Sequence, residues 1–191
     1  VKMHASFVVV DSIEINGNDR TLDAIVLREL NIRPGDSISI EELPEVLRQN
    51  SFLLLNTGLF TKAEINIKNW ETESLLALKI DLEEAWYIYP LPIMELADRN
   101  FNVWWSEYDR NLRRLNYGLR FDHTNFSGRR DHLRLMAQFG YTRKYEFKYG
   151  LPYIDRSKTW GADLVVNLKQ QRQVQLNTVD NRQLFFPENI N

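Results

Sequence analysis

The sequence has no cysteine among its 191 residues, only three histidines and little net charge. The missing cysteine excludes disulfide bonds, thiolate chemistry and zinc sites built on sulfur. A formal net charge of -2 gives no bulk electrostatic reason to expect a nucleic acid as partner. The apolar fraction of 43% is ordinary, so the chain can still bury a hydrophobic core.

Long apolar runs are missing as well. No stretch approaches the roughly 20 apolar residues of a membrane helix, so a chain that meets a bilayer must enter it as strands. The N-terminus VKMHASFVVV is not an adequate signal peptide, because Lys2 is followed by too short an apolar run. We expect that a signal was removed or that the chain is part of a longer protein, and the abrupt end LFFPENIN favours the second.

The most regular stretch, from Leu115 to Tyr141, alternates apolar and polar residues with a period of two. This period is typical of strands, whose successive side chains point to opposite faces. Two arms of about ten residues, the length of a tilted membrane strand, are joined by a turn at Asn125–Gly128. A half-buried hairpin in a soluble sandwich alternates in the same way. The residues predicted to face lipid are Tyr117, Leu119, Phe121, Leu133, Leu135, Phe139 and Tyr141.

The first part of the chain, residues 7–84, has the pattern of a strand, two helices and two further strands. Phe7–Asn16 reads as a strand, Thr21 is a candidate cap for the first helix, and Ser39-Ile40-Glu41-Glu42 has the pattern of a capping box for the second. Gly58 is the natural stop of that helix. Ala63, Ile65 and Ile67 are predicted to point inward on the second strand. Two helices on one face of a three-stranded sheet make a small α+β domain.

The motifs of this part resemble those of a POTRA domain. They are Ile13–Asn18 (Ile-x-Ile-x-Gly-Asn) followed by Thr21, Gly35-Asp36 after the first helix, and Thr57–Phe60 (Thr-Gly-Leu-Phe) before the second strand. The resemblance implies a β-α-α-β-β domain over residues 7–84.

Residues 85–191 continue with alternating strands. Tyr87–Leu96 is extended and holds two prolines, which predict only partial pairing. A loop with a short helix is predicted for 98–114, and strands follow the hairpin near Tyr145–Leu151, Trp160–Leu168 and from Val174. About six strands cannot close a bacterial barrel, whose smallest members have eight, so these strands are predicted to form the N-terminal part of an outer-membrane β-barrel.

Joined in this order, the two parts resemble the BamA/TamA family of outer-membrane assembly factors. The second part contributes Tyr89–Pro92 (Tyr-Pro-Leu-Pro), Tyr117-Gly118, Asn125-x-x-Gly128, Phe139-Gly140 and Leu151-Pro152-Tyr153. The family's Arg-Gly-Phe loop, which lies toward the C-terminus of a larger barrel, has no counterpart here. The fold class implied is an α+β POTRA domain followed by antiparallel strands of a partial transmembrane barrel.

The resemblance implies an assembly factor that binds and inserts unfolded outer-membrane clients, with its POTRA domain in the periplasm. Accessory assembly lipoproteins and the lipid bilayer are further expected partners, and nucleic acid is not. Clients are expected to add as strands to an exposed sheet edge. The predicted client-binding edge is Ala63, Glu64, Ile65, Asn66, Ile67 and Lys68. The strand predicted to form one side of a lateral gate contains Tyr87, Ile88, Tyr89, Leu91, Ile93 and Met94.

No catalytic constellation is evident, and we expect neither enzyme activity nor a cofactor or metal. His123 and His132 flank the hairpin turn, but no third ligand lies near them in sequence. Glu41-Glu42 and Glu83-Glu84 are neighbours in sequence only, so acid–base roles are not indicated. Arg129-Arg130 is expected at the membrane rim, solvated or in contact with lipid phosphates.

Three other functions fit the same sequence features. A two-partner secretion pore would have a similar layout, and so would the barrel anchor of a patatin-like lipase, which requires a Gly-x-Ser-x-Gly motif upstream. A soluble α+β protein with a β-sandwich tail would keep residues 85–191 soluble without detergent.

Overall fold

The computed structural model describes residues 6–70, 72, 74–97, 101–106, 110, 112–155, 157–171, 175–179 and 182–185. Contacts divide the chain into two units. The first comprises the residues up to Tyr87 together with Thr124–Asp131 and Leu151–Ala162. The second comprises Ile88–His123, His132–Gly150 and the chain from Asp163 onward. The boundaries predicted at residues 84 and 85 stay a prediction, since two later segments belong to the first unit.

The first unit contains four strands and two helices. They are β1 (Phe7–Asn16), α1 (Asp23–Glu29), β2 (Ser37–Ser39), α2 (Leu43–Asn56), β3 (Phe60–Trp70) and β4 (Leu75–Glu84). The sheet order is β2-β1-β4-β3, with β1 parallel to β4 and the other neighbours antiparallel. The predicted β-α-α-β-β fold class is confirmed, and β2 is an addition to it. A three-residue strand is too short to show a period in sequence.

Two clusters of buried side chains form the core of this unit. One packs Ile25 and Val26 of α1 and Leu54 of α2 against the sheet, and the other packs Leu43 of α2 against β1 and β4. A register shift in β1 between Val10 and Ser12 lets even-numbered and then odd-numbered residues turn toward the core. The partly buried Ile13 touches both clusters.

Both predicted helix caps were wrong. The residue before α1 is Leu22, which makes no side-chain capping bond, and the residue before α2 is Glu42, also without one. Pro44 lies in the first turn of α2, where a missing N–H costs nothing. The prediction for the end of α2 was right, because the helix ends at Asn56 and Gly58 has φ +73°.

The second unit is an antiparallel sheet. Its order is β5-β6-β7-β8-β9, where the strands are β5 (Ile88–Leu96), β6 (Leu115–Thr124), β7 (His132–Gly140), β8 (Thr142–Leu151) and β9 (Ala162–Gln171). A separate pair follows, β10 (Gln175–Val179) and β11 (Arg182–Phe185). A short helix, α3 (Phe101–Ser106), and a 3-10 turn at Leu112–Arg114 precede β6. None of the described helices is long and apolar enough to cross a membrane.

The turn between β6 and β7 is longer than predicted and covers residues 125–131. The Asn125 N–H donates to the Asp131 carbonyl at 2.6 Å, and the Asp131 carboxylate accepts from the Ser127 N–H at 2.8 Å. Asn125 and Arg130 have positive φ, as has Gly128. A seven-residue loop closed by its own polar groups therefore replaces the four-residue turn.

Candidate functional site

The predicted client-binding edge is β3, which ends the four-stranded sheet. A groove of about 420 Å³ runs between β3 and α2. Its walls are largely apolar and include Leu47 and Phe52 from α2 and Ala63 and Ile65 from β3. An edge strand beside an apolar groove is an arrangement that accepts a further strand, with main-chain bonds on one side and side-chain pockets on the other. The role of these residues in client binding stays a prediction.

The side chains along β3 follow the predicted alternation for half of its length. Ala63 and Ile65 are buried, whereas Ile67 is 37% exposed, so the inward position predicted for Ile67 was wrong. The register shifts by one residue between Ile67 and Asn69, which breaks the period of two at that point. The strand thus leaves the core toward its end at Trp70, which is also exposed.

Charged side chains on the outer face of β3 are matched by opposite charges. Lys62 Nζ lies 3.3 Å from a carboxylate oxygen of Glu64, and Lys68 contacts Glu14 of β1. The hydrogen bond from Lys68 is the main reason that the pKa of Glu14 lies below its usual value. These ion pairs leave the outer face of β3 locally neutral.

The groove has one polar corner at the N-terminal half of α2. Arg48 donates to Glu45 through both Nε (2.8 Å) and Nη2 (2.6 Å) and stacks over the ring of Phe52, 5.1 Å from its centroid. The Arg48 hydrogen bonds lower the pKa of Glu45 to about 2. The pair holds Phe52, which is 49% exposed, as an aromatic surface on the groove wall.

The strand predicted to form the gate, β5, ends the five-stranded sheet. It pairs with β6 without interruption from Ile88 opposite His123 to Leu96 opposite Leu115. The expectation that Pro90 and Pro92 leave this pairing partial was therefore wrong.

The direction of the backbone groups explains why the prolines are tolerated. The carbonyl of Tyr87 accepts from Thr124, and the N–H of Ala97 donates to Arg114. Odd-numbered residues of this stretch thus turn their backbone groups toward β6, and even-numbered residues turn theirs away. Pro90 and Pro92 place their missing N–H groups on the outer edge, where edge strands accommodate proline.

The predicted gate residues within β5 divide between its two faces. Ile88 and Met94 lie opposite His123 and Tyr117, and Met94 is 77% exposed. Tyr89, Leu91 and Ile93 lie on the other face, opposite Asp122, Arg120 and Gly118.

Tyr87 does not belong to the gate strand, which corrects its predicted role. It is buried in the core of the first unit, and its hydroxyl donates to the carbonyl of Leu59 at 2.7 Å. Burial raises the pKa of its hydroxyl above the ordinary value.

Tyr87 also lies beside a polar cluster that sequence reasoning missed. The Thr21 hydroxyl donates to Glu84 at 2.5 Å and accepts from the side-chain amide of Asn125 at 2.8 Å. Arg20 donates to the carbonyls of Asn125 and Phe126 at 3.1 and 2.7 Å. No sequence signal pairs residues more than 100 positions apart, although Thr21 and Asn125 both lie in motifs singled out above.

Most of the residues predicted to face lipid lie on one apolar face of the second unit. Tyr117, Leu119, Leu135 and Phe139 are between 40 and 56% exposed, while Phe121 and Leu133 are half-buried. Neighbouring strands add the aromatic residues Tyr145 and Phe147 to this face, through the pairs Ala137–Tyr145 and Leu135–Phe147. The rings of Tyr117, Phe139 and Tyr145 follow one another at 6.3 and 5.7 Å.

Tyr141 is the exception and corrects the prediction. It is 7% exposed and lies between β7 and β8, where the Arg114 guanidinium stacks 5.0 Å from its ring centroid. Gly140, the residue before Tyr141, has φ +111°. This conformation interrupts the alternation of β7, so Tyr141 does not lie on the face that the two-residue period predicts. An added Cβ on Gly140 would lie 2.0 Å from the Leu115 carbonyl oxygen, so glycine is required there.

The opposite face of the same strands carries charges in a network. Asp122 contacts Arg134 and lies 2.9 Å from Arg120. Glu146 lies 3.4 Å from Lys144 and 3.9 Å from Arg134. The carboxylates are less exposed than the apolar side chains of the first face, with 18% for Asp122 and 16% for Glu146. In this sheet the apolar side chains are thus more exposed than the carboxylates, which is the opposite of the arrangement in a water-soluble protein.

Two of the three histidines lie in the part of the chain that the structure describes. His4 lies outside the described residues, His123 is buried and His132 is exposed. Within the described part of the chain, no group of three or more His, Cys, Asp or Glu residues is placed to hold a metal ion. Glu84 binds the Thr21 hydroxyl and the N–H groups of Arg20 and Thr21, which is a structural role.

Comparison with known proteins agrees with the domain seen in the first unit. Residues 8–85 match the family model POTRA, described as surface antigen variable number repeat. No curated protein sequence matches the chain.

Among solved structures, the chain is similar to BamA from Haemophilus ducreyi lacking POTRA domains 1–3, at 17% identity and a TM-score of 0.60, over 84% of this chain and 27% of that one. CdiB from Acinetobacter baumannii is 14% identical over 77% and 26%, with a TM-score of 0.45. CdiB from Escherichia coli is 12% identical over 76% and 26%, with a TM-score of 0.43. The chain spans about a quarter of the length of these proteins. The predicted resemblance to the BamA/TamA type and the predicted fold class are confirmed.

Proposed function

We propose, from the premise that residues 8–85 belong to the POTRA family and that the chain has the fold of a BamA-type protein, that it is part of a non-enzymatic factor for outer-membrane β-barrel assembly. The POTRA domain lies in the periplasm and receives unfolded outer-membrane clients. The antiparallel sheet is part of a barrel in the outer membrane. Accessory assembly lipoproteins are further partners.

The observation that carries the proposal is the edge strand β3 beside the apolar groove of α2. An extended client segment would bind by adding to β3, so that alternate side chains enter the groove near Phe52 and Leu55. Such binding selects clients by the two-residue period of their apolar side chains and does not require one particular sequence. That selectivity suits a factor with many barrel clients, since every membrane strand has the same period.

The inverted burial of the second unit supports a place in the bilayer. Exposed Leu119 and Leu135 would meet hydrocarbon, while Asp122 and Glu146 would face a water-filled interior. Lipid forces every backbone polar group to be paired, so the sheet must continue into a closed barrel in the whole protein. The outer edge of β5 would then form one side of the seam through which clients enter the membrane.

Chemical energy is not required for this activity. A client strand that pairs with an edge gains main-chain hydrogen bonds, and its burial in lipid is favourable once it has a partner. The factor thus acts as a template, which agrees with the structural roles of its carboxylates.

Disulfide trapping tests the client site, because the chain has no native cysteine. Asn66→Cys on β3, in the full-length protein, is expected to form a disulfide with a cysteine placed in the terminal strand of a barrel client during its assembly. Lys79→Cys on the inner strand β4 is the matched control and is expected to trap none. Equal trapping at both positions, or none at either, would contradict the proposal.

Depletion distinguishes the proposal from its main alternative. Loss of the full-length protein is expected to lower many outer-membrane proteins together. A two-partner secretion pore would instead lose one dedicated secreted substrate while outer-membrane protein levels stay normal.

A further inference from the structure

A second cavity in the first unit, unrelated to the client groove, has the features of an anion site. It measures about 620 Å³ and is lined by residues of α1 and of the segment after it, together with Ser157 from the loop between β8 and β9. Two of the lining residues, Arg28 and Arg33, carry guanidinium groups. No carboxylate is among the described residues that line it.

Four charged side chains form a cluster beside this cavity. Glu29 is the carboxylate in contact with three cations, which are Lys158 at 2.6 Å, Arg28 at 3.3 Å and Arg130 at 3.9 Å. The side chains of Glu29 and Arg28 are each only 9% exposed, so water screens this cluster poorly. The buried pair of Glu29 and Arg28 is neutral, and the other two cations, Lys158 and Arg130, are 36% and 26% exposed.

Arg28 has donors left over for such an anion. Its Nε donates to Glu29, and its guanidinium stacks 5.5 Å from the ring centroid of Tyr153. Its Nη2 is buried and has no acceptor among the described residues. A buried N–H pair without a partner costs free energy, which an entering acceptor recovers.

The other walls of the cavity suit an oxyanion. Arg33 uses its backbone N–H to bind Asp36, and it is an exposed residue that lines the cavity. The Ser157 hydroxyl is fixed by Asp155 and lies 3.0 Å from the Thr159 hydroxyl. Two guanidinium groups with a nearby hydroxyl make a donor set that matches the oxygens of a phosphate.

We propose that this cavity binds a phosphate group through Arg28 and Arg33. The phosphate belongs either to the headgroup of a phospholipid or to a soluble phosphate compound. The loop that supplies Ser157 joins β8 to β9, so a headgroup is an accessible source if those strands lie in a bilayer.

The test uses the full-length protein with arginine side chains labelled for NMR. In neutral detergent micelles, inorganic phosphate is added and the Nε–Hε signals of Arg28 and Arg33 are followed. In a second arm, the protein is placed in nanodiscs of phosphatidylcholine with or without phosphatidylglycerol. We expect saturable shifts of both signals in at least one arm. Shifts with inorganic phosphate in micelles but none in nanodiscs assign a soluble ligand. Shifts in nanodiscs of either composition, relative to the phosphate-free micelles, assign a lipid headgroup, because both lipids carry a phosphate.

Variants make the result specific. Arg33→Gln removes an exposed charge without disturbing the fold and is expected to weaken binding about tenfold, as for loss of one charged hydrogen-bond partner. Arg28→Gln should abolish the saturable shift of Arg33, with circular dichroism checking its fold. Lys79→Gln removes the same charge from β4 and is expected to change affinity less than about twofold. Absence of saturable shifts in both arms, or equal weakening by Arg33→Gln and Lys79→Gln, would overturn the proposal.

Discussion

Asn125 donates from its side-chain amide to the hydroxyl of Thr21 at 2.8 Å, although the two residues are 104 positions apart in sequence. Both are fully buried or nearly so, and the Thr21 hydroxyl in turn donates a hydrogen bond to Glu84. The loop 125–131 is closed further by the Leu22 N–H, which donates to the Gly128 carbonyl at 3.1 Å. The loop is thus an integral part of the first unit.

Thr21→Val is expected to destabilise the first unit by about 1–3 kcal/mol, because it leaves Glu84 and the Asn125 amide without their shared partner in a buried site. The measurement is urea unfolding of the chain in detergent, followed by Trp fluorescence. Thr61→Val is the matched control, since the Thr61 hydroxyl makes only an exposed 3.3 Å bond to the Glu83 carbonyl. Its effect should stay within about 0.5 kcal/mol. Equal losses for both variants would refute the importance of the cluster.

Leu91→Pro is expected to weaken the pairing of β5 with β6, whereas Pro92→Ala is expected to leave it unchanged. Leu91 turns its N–H toward β6, so proline there removes a ladder hydrogen bond and should speed amide exchange in Tyr89 and Ile93. The backbone nitrogen of Pro92 points away from β6, so alanine at this position should leave the amide exchange of Tyr89 and Ile93 unchanged. Hydrogen exchange of the two variants in micelles measures the difference. Faster or slower exchange after Pro92→Ala would mean that the prolines do limit this pairing.

Leu135→Arg is expected to destabilise the sheet in a bilayer by about 2–4 kcal/mol if Leu135 faces the hydrocarbon midplane. Met136→Arg, one residue further, points to the polar face opposite Glu146 and should cost much less. Unfolding of the full-length protein in lipid bilayers gives both values. A soluble sandwich predicts the reverse order, since an exposed Leu tolerates arginine and a half-buried Met does not.

The Glu45–Arg48 pair predicts how α2 responds to acid. Hydrogen bonds from Arg48 lower the pKa of Glu45 to about 2 in the folded protein, from its ordinary value of 4.5. The pair therefore contributes to stability fully above pH 4.5, and the contribution is lost as the pH falls toward 2. The carboxyl carbon shift of Glu45 in an NMR titration should report this low midpoint, and Arg48→Gln should return it toward 4.5. A midpoint near 4.5 in the unmodified protein would exclude the pair in solution.

Local periodicity predicted much of this fold because the two-residue alternation of a strand is visible in the sequence of that strand alone. β1 was predicted with its observed ends, Phe7 and Asn16, and the two arms of the β6–β7 hairpin were found from alternation alone. Partners distant in sequence left no such trace. The role of Thr21 depends on Asn125, and the conformation of Gly140 that buries Tyr141 depends on the nearby Leu115 carbonyl.

In the candidate site, too, some features could be predicted from the sequence and others required the three-dimensional structure. Placing β3 at an edge followed from the expected domain order, while the groove beside it required the position of α2. The direction of the Pro90 and Pro92 nitrogens depends on the register with β6, which composition cannot supply. The cavity of Arg28 combines α1 with a loop more than 120 residues later, and no local pattern indicates that the two lie together.

The two prolines of β5 also bear on how copies of this protein behave when crowded together. Sheets commonly aggregate when their edge strands pair, with the backbone N–H groups of each strand donating to the carbonyl groups of the other. Pro90 and Pro92 withhold two successive donors, so two such strands brought side by side would leave carbonyl groups unmatched. The outer edge of β5 is thereby protected from pairing with the same edge of a second copy.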